Sequence, residues 1–205
     1  MGLISNGTTI FDAGAMSAGF GGSLTLIKKL TADGSTAGLS FVHGSANVVF
    51  NSTFKQYMFT FNNLHPSSNE NKLVMQTTID GTNFNVATTT TFMVAYNRTS
   101  GGSHALEYDT SKDVGNSTSF YSISEAAGSD NDQSVCGFMH FFNPADTTFV
   151  KNFWLRTSTD HHGDFHMINL VSGYVNTTSA ITGVQFKYEN NNMDAGDICL
   201  YGIGW

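Results

Sequence analysis

Residues 56–61, QYMFTF, put Tyr57, Phe59 and Phe61 on one side of an extended chain and Met58 and Thr60 on the other. Successive side chains of a strand point to opposite faces, so rings at every second position mark a strand with one buried face. The same period of two returns in TFMVAY (91–96), with Phe92, Val94 and Tyr96 together. In TFVKNFWLR (148–156), Phe149, Phe153 and Leu155 oppose Val150, Trp154 and Arg156. In TGVQFKYE (182–189), Val184, Phe186 and Tyr188 oppose Gln185 and Lys187.

Clusters rich in Gly, Asn and Asp separate these runs: ADGSTAG, HPSSNEN, IDGTN, RTSGGS, AAGSDND and ENNNMDAG. Such residues supply the positive-φ conformations of tight turns. About ten to twelve strands at this spacing predict an all-β fold, an antiparallel β-sandwich or jelly-roll-like domain. No window of helical length carries a 3.6-residue apolar stripe, although Ser122–Gly128 (SISEAAG) has the composition for a single helical turn.

The first 23 residues differ. They are rich in Gly, Ala and Ser, with isolated Leu3, Ile4, Ile10, Phe11, Met16 and Phe20. That is too little apolar surface to fold alone and too much for a solvated tail. Residues 1–23 are therefore read as an extended N-terminal arm with those six side chains as partner-binding anchors. Its alternative is a flexible or domain-swapped terminus. Residues 24–205 are read as the sandwich domain.

Composition narrows the function classes. Only 12% of residues are charged, against about 25% in ordinary soluble domains. Ser, Thr and Asn fill roughly a third of the chain, so neutral hydroxyls and amides wet the surface. The formal charge is -7 with nine Lys plus Arg. Nucleic-acid binding needs clustered cations, and the one adjacent pair is Lys28–Lys29, so no nucleic-acid partner is expected. No run reaches the ~20 apolar residues of a membrane helix, and MGLISNGTTIF lacks the basic and long apolar regions of a signal peptide. A soluble cytoplasmic product is expected, with no membrane partner. Cys136 and Cys199 lie in apolar strand-like runs and read as two buried thiols rather than a bridge.

The densest group of possible metal ligands is DHHGDFH, with Asp160, His161, His162, Asp164 and His166 around Gly163. The helical zinc motif spaces two His four apart with a Glu between them. His162 and His166 have the spacing, but Gly163 interrupts them and no Glu intervenes. The run is read as a surface loop or inter-subunit contact, with no metal or other cofactor. Asp130, Asp132 and Ser134 of DNDQS lack the Gly and distal Glu of a calcium loop and read as an acidic turn. No Gly-x-Ser-x-Gly elbow occurs and neither cysteine has a nucleophile signature, so no catalytic residues are assigned and no enzyme is expected. With 17 Phe, 7 Tyr and 2 Trp, most rings must be core. Tyr108, Tyr121, Trp154 and Trp205 are the candidates for exposure.

ITGVQFKYENNNMDAGDICLYGIGW (181–205) ends in a strand, an Asn-rich turn and a closing strand. With YMFTFNNLHPSSNENKLVMQTTIDG (57–81) and MGLISNGTTIFDAG (1–14), it resembles small virion structural proteins of tailed phages, notably those of marine cyanobacteria and other marine bacteria. The likeness runs over most of the chain and its motifs are structural. It implies a capsid decoration (cement) protein on the capsid exterior, assembled in the host cytoplasm. The implied partners are the major capsid protein and copies of itself, as a trimer or dimer. A tail-fibre or receptor-binding module contacting host-surface glycan is the alternative it implies. No catalytic residue follows from it.

Overall fold

The computed structural model describes residues 23–204 in full and, before them, the backbone of β1 (Leu3–Ser5), β2 (Thr8–Asp12) and β3 (Ala15–Met16). These three pair antiparallel in the order β1-β2-β3, a small sheet within the stretch read as an extended arm. The side chains of Leu3, Ile4, Ile10, Phe11 and Met16, and the whole of Phe20 and Trp205, lie outside the described residues.

Twelve strands follow. They are β4 (Leu24–Thr31), β5 (Leu39–Val42), β6 (Gln56–Pro66), β7 (Asn71–Thr78), β8 (Thr88–Arg98) and β9 (His104–Tyr108). Then come β10 (Tyr121–Ala127), β11 (Val135–Phe142), β12 (Lys151–His161), β13 (Phe165–Val175), β14 (Gly183–Tyr188) and β15 (Met193–Ile203). They form two antiparallel sheets, one of eight strands in the order β4-β15-β6-β11-β12-β13-β8-β9 and one of four in the order β10-β7-β14-β5. The pairing is nested: β4 returns to β15, β5 to β14, β6 to β11 and β7 to β10. The β8–β9 and β12–β13 pairs are spliced into that scheme and widen the larger sheet.

Ser122–Ala127, read as a helical turn, is strand instead. The ladder between β10 and β7 is irregular between Ser122 and Ala126. There the Ser124 hydroxyl accepts from Leu73 N (3.0 Å) and donates to Glu125 O (2.7 Å). A side-chain oxygen thus replaces the missing ladder bond, which explains a polar, Ala-containing sequence in a sheet.

Aromatic rings from both sheets fill the space between them. Phe186 of β14 meets Phe59 at 5.0 Å and Phe61 at 5.2 Å across the interface, both edge to face, and Phe41 at 6.4 Å within its own sheet. At the other end Tyr121 of β10 stacks on Phe153 of β12 at 5.9 Å. Edge-to-face pairs align ring quadrupoles and add to the burial energy.

A buried polar clip joins the sheets where β10 is an edge. Asn169 Nδ2 donates to Thr157 Oγ1 and Thr159 Oγ1, each at 3.0 Å, while its Oδ1 accepts from Glu125 N at 3.2 Å. Thr157 Oγ1 in turn donates to Ile123 O at 2.8 Å. All three side chains are fully buried. Two backbone groups on the open side of β10 are thereby satisfied. At Gly196 (φ +105°) a Cβ would lie 2.4 Å from Asn63 O, so the β15–β6 bulge admits only glycine there.

Phe186→Ala is expected to lower the unfolding free energy by roughly 3–5 kcal/mol, and Asn169→Ala by roughly 1–3 kcal/mol by orphaning the Glu125 N–H. Urea denaturation measures both, with the outward-facing Ser172→Ala as control. Equal losses in all three variants would contradict this account of the core.

Candidate functional site

The inward side chains of the eight-stranded sheet are committed to the core, so the alternate positions present a second, outward face. Its register can be followed strand by strand. One row runs Leu26, Tyr201, Met58, His140, Trp154, Ser172 and Thr91. The next runs Lys29, Cys199, Thr60, Phe138, Arg156, Leu170, Met93 and Tyr108. Of the ten large hydrophobic side chains exposed among the described residues, seven stand on this face: Leu24, Leu26, Met93, Leu106, Tyr108, Trp154 and Leu170. Leu24 and Leu26 stand at the β4 edge, and Leu170, Met93, Tyr108 and Leu106 gather toward the β9 edge.

Two zones differ in chemistry. Toward the β8–β9 edge, Leu170, Met93, Tyr108 and Leu106 form an aliphatic and phenolic patch, with Leu106 the most open at 67%. Tyr108 is held there by donating to Asp113 Oδ2 at 2.5 Å, and that bond to a carboxylate pushes its phenol pKa up.

The second zone is a groove of about 460 Å³ between β8, β12 and β13, with Phe142, Trp154 and Tyr174 as its rings. Thr89, Thr91, Asn152 and Ser172 supply neutral hydroxyls and an amide, and no charged side chain lines it. Trp154 is braced from behind: its indole stacks on His140 at 4.9 Å and 14°, with Phe138 edge-on at 5.5 Å. His140 is itself held by the Gln56 amide, whose nitrogen meets Nδ1. Burial lowers the His140 pKa, so the stacked imidazole is neutral at neutral pH. Gly173, inward beneath the groove, makes room for the Thr89 carbonyl and the Phe153 ring, since a Cβ there would sit 2.4 Å from Thr89 O and 3.0 Å from Phe153 Cζ.

DHHGDFH is the tip of the β12–β13 hairpin, at the far end of the sheet from the groove. Asp160 and His166 are cross-strand partners, with Asp160 Oδ1 3.0 Å from His166 Nδ1. Asp164 takes a positive φ of 62° in the turn rather than sharing a strand face with His166. His162 points elsewhere and pairs with Glu70 at 3.0 Å, its ring 4.2 Å from that of His161. His161 accepts from Gly163 N through Nδ1 at 2.9 Å. Its pKa is lowered, by burial first and by neighbouring His162 second. The Asp160–His166 pair and the His161–His162 pair are thus held by separate partners. Among the described residues, no three His, Cys, Asp or Glu side chains are grouped to hold a metal ion.

Of the rings singled out from sequence, Trp154 and Tyr108 are exposed and Tyr121 is buried. Cys199 is buried and Cys136 half-buried, both as free thiols. Phe142, His140, Tyr174 and the aliphatic patch were not legible in advance. The available signal was a Trp at an outward position of a strand whose other outward residues are polar. No family model matches the chain, and no curated protein or solved structure matches it either.

Acid is expected to destabilise the protein in two stages. Unfolded imidazoles titrate near ~6.5, and the folded chain holds His140 and His161 below their ordinary value. The unfolded state therefore binds more protons in that window, and stability falls as pH drops through it. The carboxylates of Asp80, held low by Asn83 and Thr82, and Asp109, at about 2 because Lys112 and Ser111 outweigh its burial, add a second loss below the carboxylate range. Thermal melts from about pH 7.5 to about pH 3 check this. A midpoint that rises on acidification would contradict it.

Proposed function

We propose that this chain is a non-catalytic structural subunit of a tailed-phage virion, a jelly roll that decorates the capsid exterior through the outward face of its larger sheet. The nested return of β4, β5, β6 and β7 onto β15, β14, β11 and β10, alternating between two sheets, supports the jelly-roll reading. The observation that carries the function is the aliphatic patch of Leu106, Met93 and Leu170, left open on the outward face beside Arg156. Such a patch on the major capsid protein gains from repetition, because each subunit of a dimer or trimer that touches the lattice raises the effective concentration of the others. Residues 1–23, with Ile4, Ile10 and Phe11, supply a second attachment in this reading.

Recombinant protein bound to undecorated capsids tests it. Leu106→Lys combined with Met93→Lys is expected to reduce occupancy at least tenfold while the melting midpoint stays within a few degrees, both sites being exposed. Full occupancy by the double variant would remove the patch from the contact, and full occupancy without residues 1–23 would remove the arm.

The aromatic groove favours a second reading, a tail-fibre or receptor-binding module that contacts host-surface glycan. Quantitative mass spectrometry of purified particles separates the two. Hundreds of copies per particle support decoration, and a few dozen or fewer support the fibre.

A further inference from the structure

The groove between β8, β12 and β13 has a chemistry of its own. Its floor is sheet, and its walls are three rings set among hydroxyls and an amide. Trp154 keeps one face against His140 and turns the other toward Ser172 and Thr91, its cross-strand neighbours in the same row. Tyr174 pairs with Asn152, one row away on the same face, so it is the diagonal neighbour of Trp154. Diagonal positions lie roughly 7–8 Å apart, close enough for one short chain to touch both rings. Among the described residues, the side chains of Asn152, Ser172 and Tyr174 make no hydrogen bond within the protein, which leaves them for a ligand.

We propose that this groove binds an uncharged oligosaccharide, with Trp154 as the stacking platform and Asn152, Ser172 and Tyr174 as hydrogen-bonding partners. A pyranose ring has an apolar C–H face and a rim of hydroxyls. An aromatic platform ringed by neutral donors and acceptors matches both parts at once. The volume of about 460 Å³ falls within the ~300–1,000 Å³ of small-ligand sites.

Competing ligands fit less well. A polyanionic glycan or a nucleic acid would meet a chain of formal charge -7 and a groove lined by no cation. A peptide added as a strand would need an open sheet edge, whereas β12, β13 and β8 are each paired on both sides.

The platform is preorganised. Gln56 holds His140, His140 and Phe138 hold the indole, and the Phe153–Gly173 contact holds the strand beneath it. Little ordering is then left to oppose binding. This inference deepens the receptor-contacting reading by naming the ligand class and its site, and it rests on that reading for the biological source of the glycan.

The full chain is titrated with neutral gluco-, galacto-, manno- and xylo-oligosaccharides, with chondroitin sulfate as the polyanionic comparison. Calorimetry and chemical-shift changes at the Trp154 indole N–H are the readouts. At least one neutral oligosaccharide is expected to bind. Trp154→Ala is expected to weaken it about tenfold or more and Trp154→Phe by less, with both melting within a few degrees of wild type. If the Ala variant does not fold, the Phe variant and Ser172→Val carry the comparison, since loss of affinity with an unchanged melt is still required of them. Absence of binding by every neutral sugar at millimolar concentration overturns the proposal. So does binding insensitive to Trp154, or binding of the polyanion alone. Because the titration uses purified protein, its outcome is independent of copy number on the particle, which tests the virion readings separately.

Discussion

The contact of Phe186 with Phe59 and Phe61 across the two sheets is the constraint from which the rest follows. Rings at every second position can meet only if each strand keeps its register, since a slip of one residue would turn the whole set outward. Register in turn decides which residues stand on the far side. Trp154 is exposed because Phe153 and Leu155 are not. The outward face is therefore set by the register of the core.

Charge is distributed by the same logic. The ion pairs lie at edges and turns: Lys29–Asp197 on the β4 side, Lys72–Glu189 at the end of the smaller sheet, and Lys112 with Asp109 and Glu125 beside β10. Charges on edge strands discourage unwanted strand pairing, and keeping them there leaves the groove free of charge. Arg156 stands mid-strand on β12, and Lys151 departs further. Fully buried, it occupies an inward position at the start of β12, and its ammonium donates to Phe149 O (3.0 Å) and Thr177 O (3.2 Å) where the core meets the loops. Burial lowers its pKa, a cost offset by those carbonyls and by nearby Asp146.

Much of the fold was legible because alternation is a local property. QYMFTF, TFMVAY and TGVQFKYE have the faces their spacing implies, and the twelve strands of the two packed sheets fall within the expected range, with the three short strands β1–β3 beyond it. The misses have local causes too. Phe149 belongs by spacing to the buried row, yet it is 71% exposed. Asp146 accepts from the backbone N–H groups of Thr148 and Phe149, and the strand begins only at Lys151. In Ser122–Ala127 a serine hydroxyl stands in for a ladder bond, which composition does not reveal. The groove was illegible for another reason. Its residues come from four strands, Thr89 and Tyr174 being 85 positions apart in the chain, and only the pairing of β8 with β13 unites those two.

The two inserted pairs, β8–β9 and β12–β13, bring with them most of the outward groove. Without them the larger sheet would hold β4, β15, β6 and β11 and would match the four strands opposite. Their addition lengthens one sheet beyond what the smaller one can cover, and every groove residue except Phe142 lies on β8, β12 or β13. The clip from Asn169 and Thr157 to β10 then anchors the inserted strands to the opposite sheet. Inward residues of the insertion hold it to the core, and outward residues are left to be chosen by contact. Substitutions at the exposed Leu106, Trp154 or Ser172 thus cost little stability, whereas those at the buried Phe153 or Asn169 cost more.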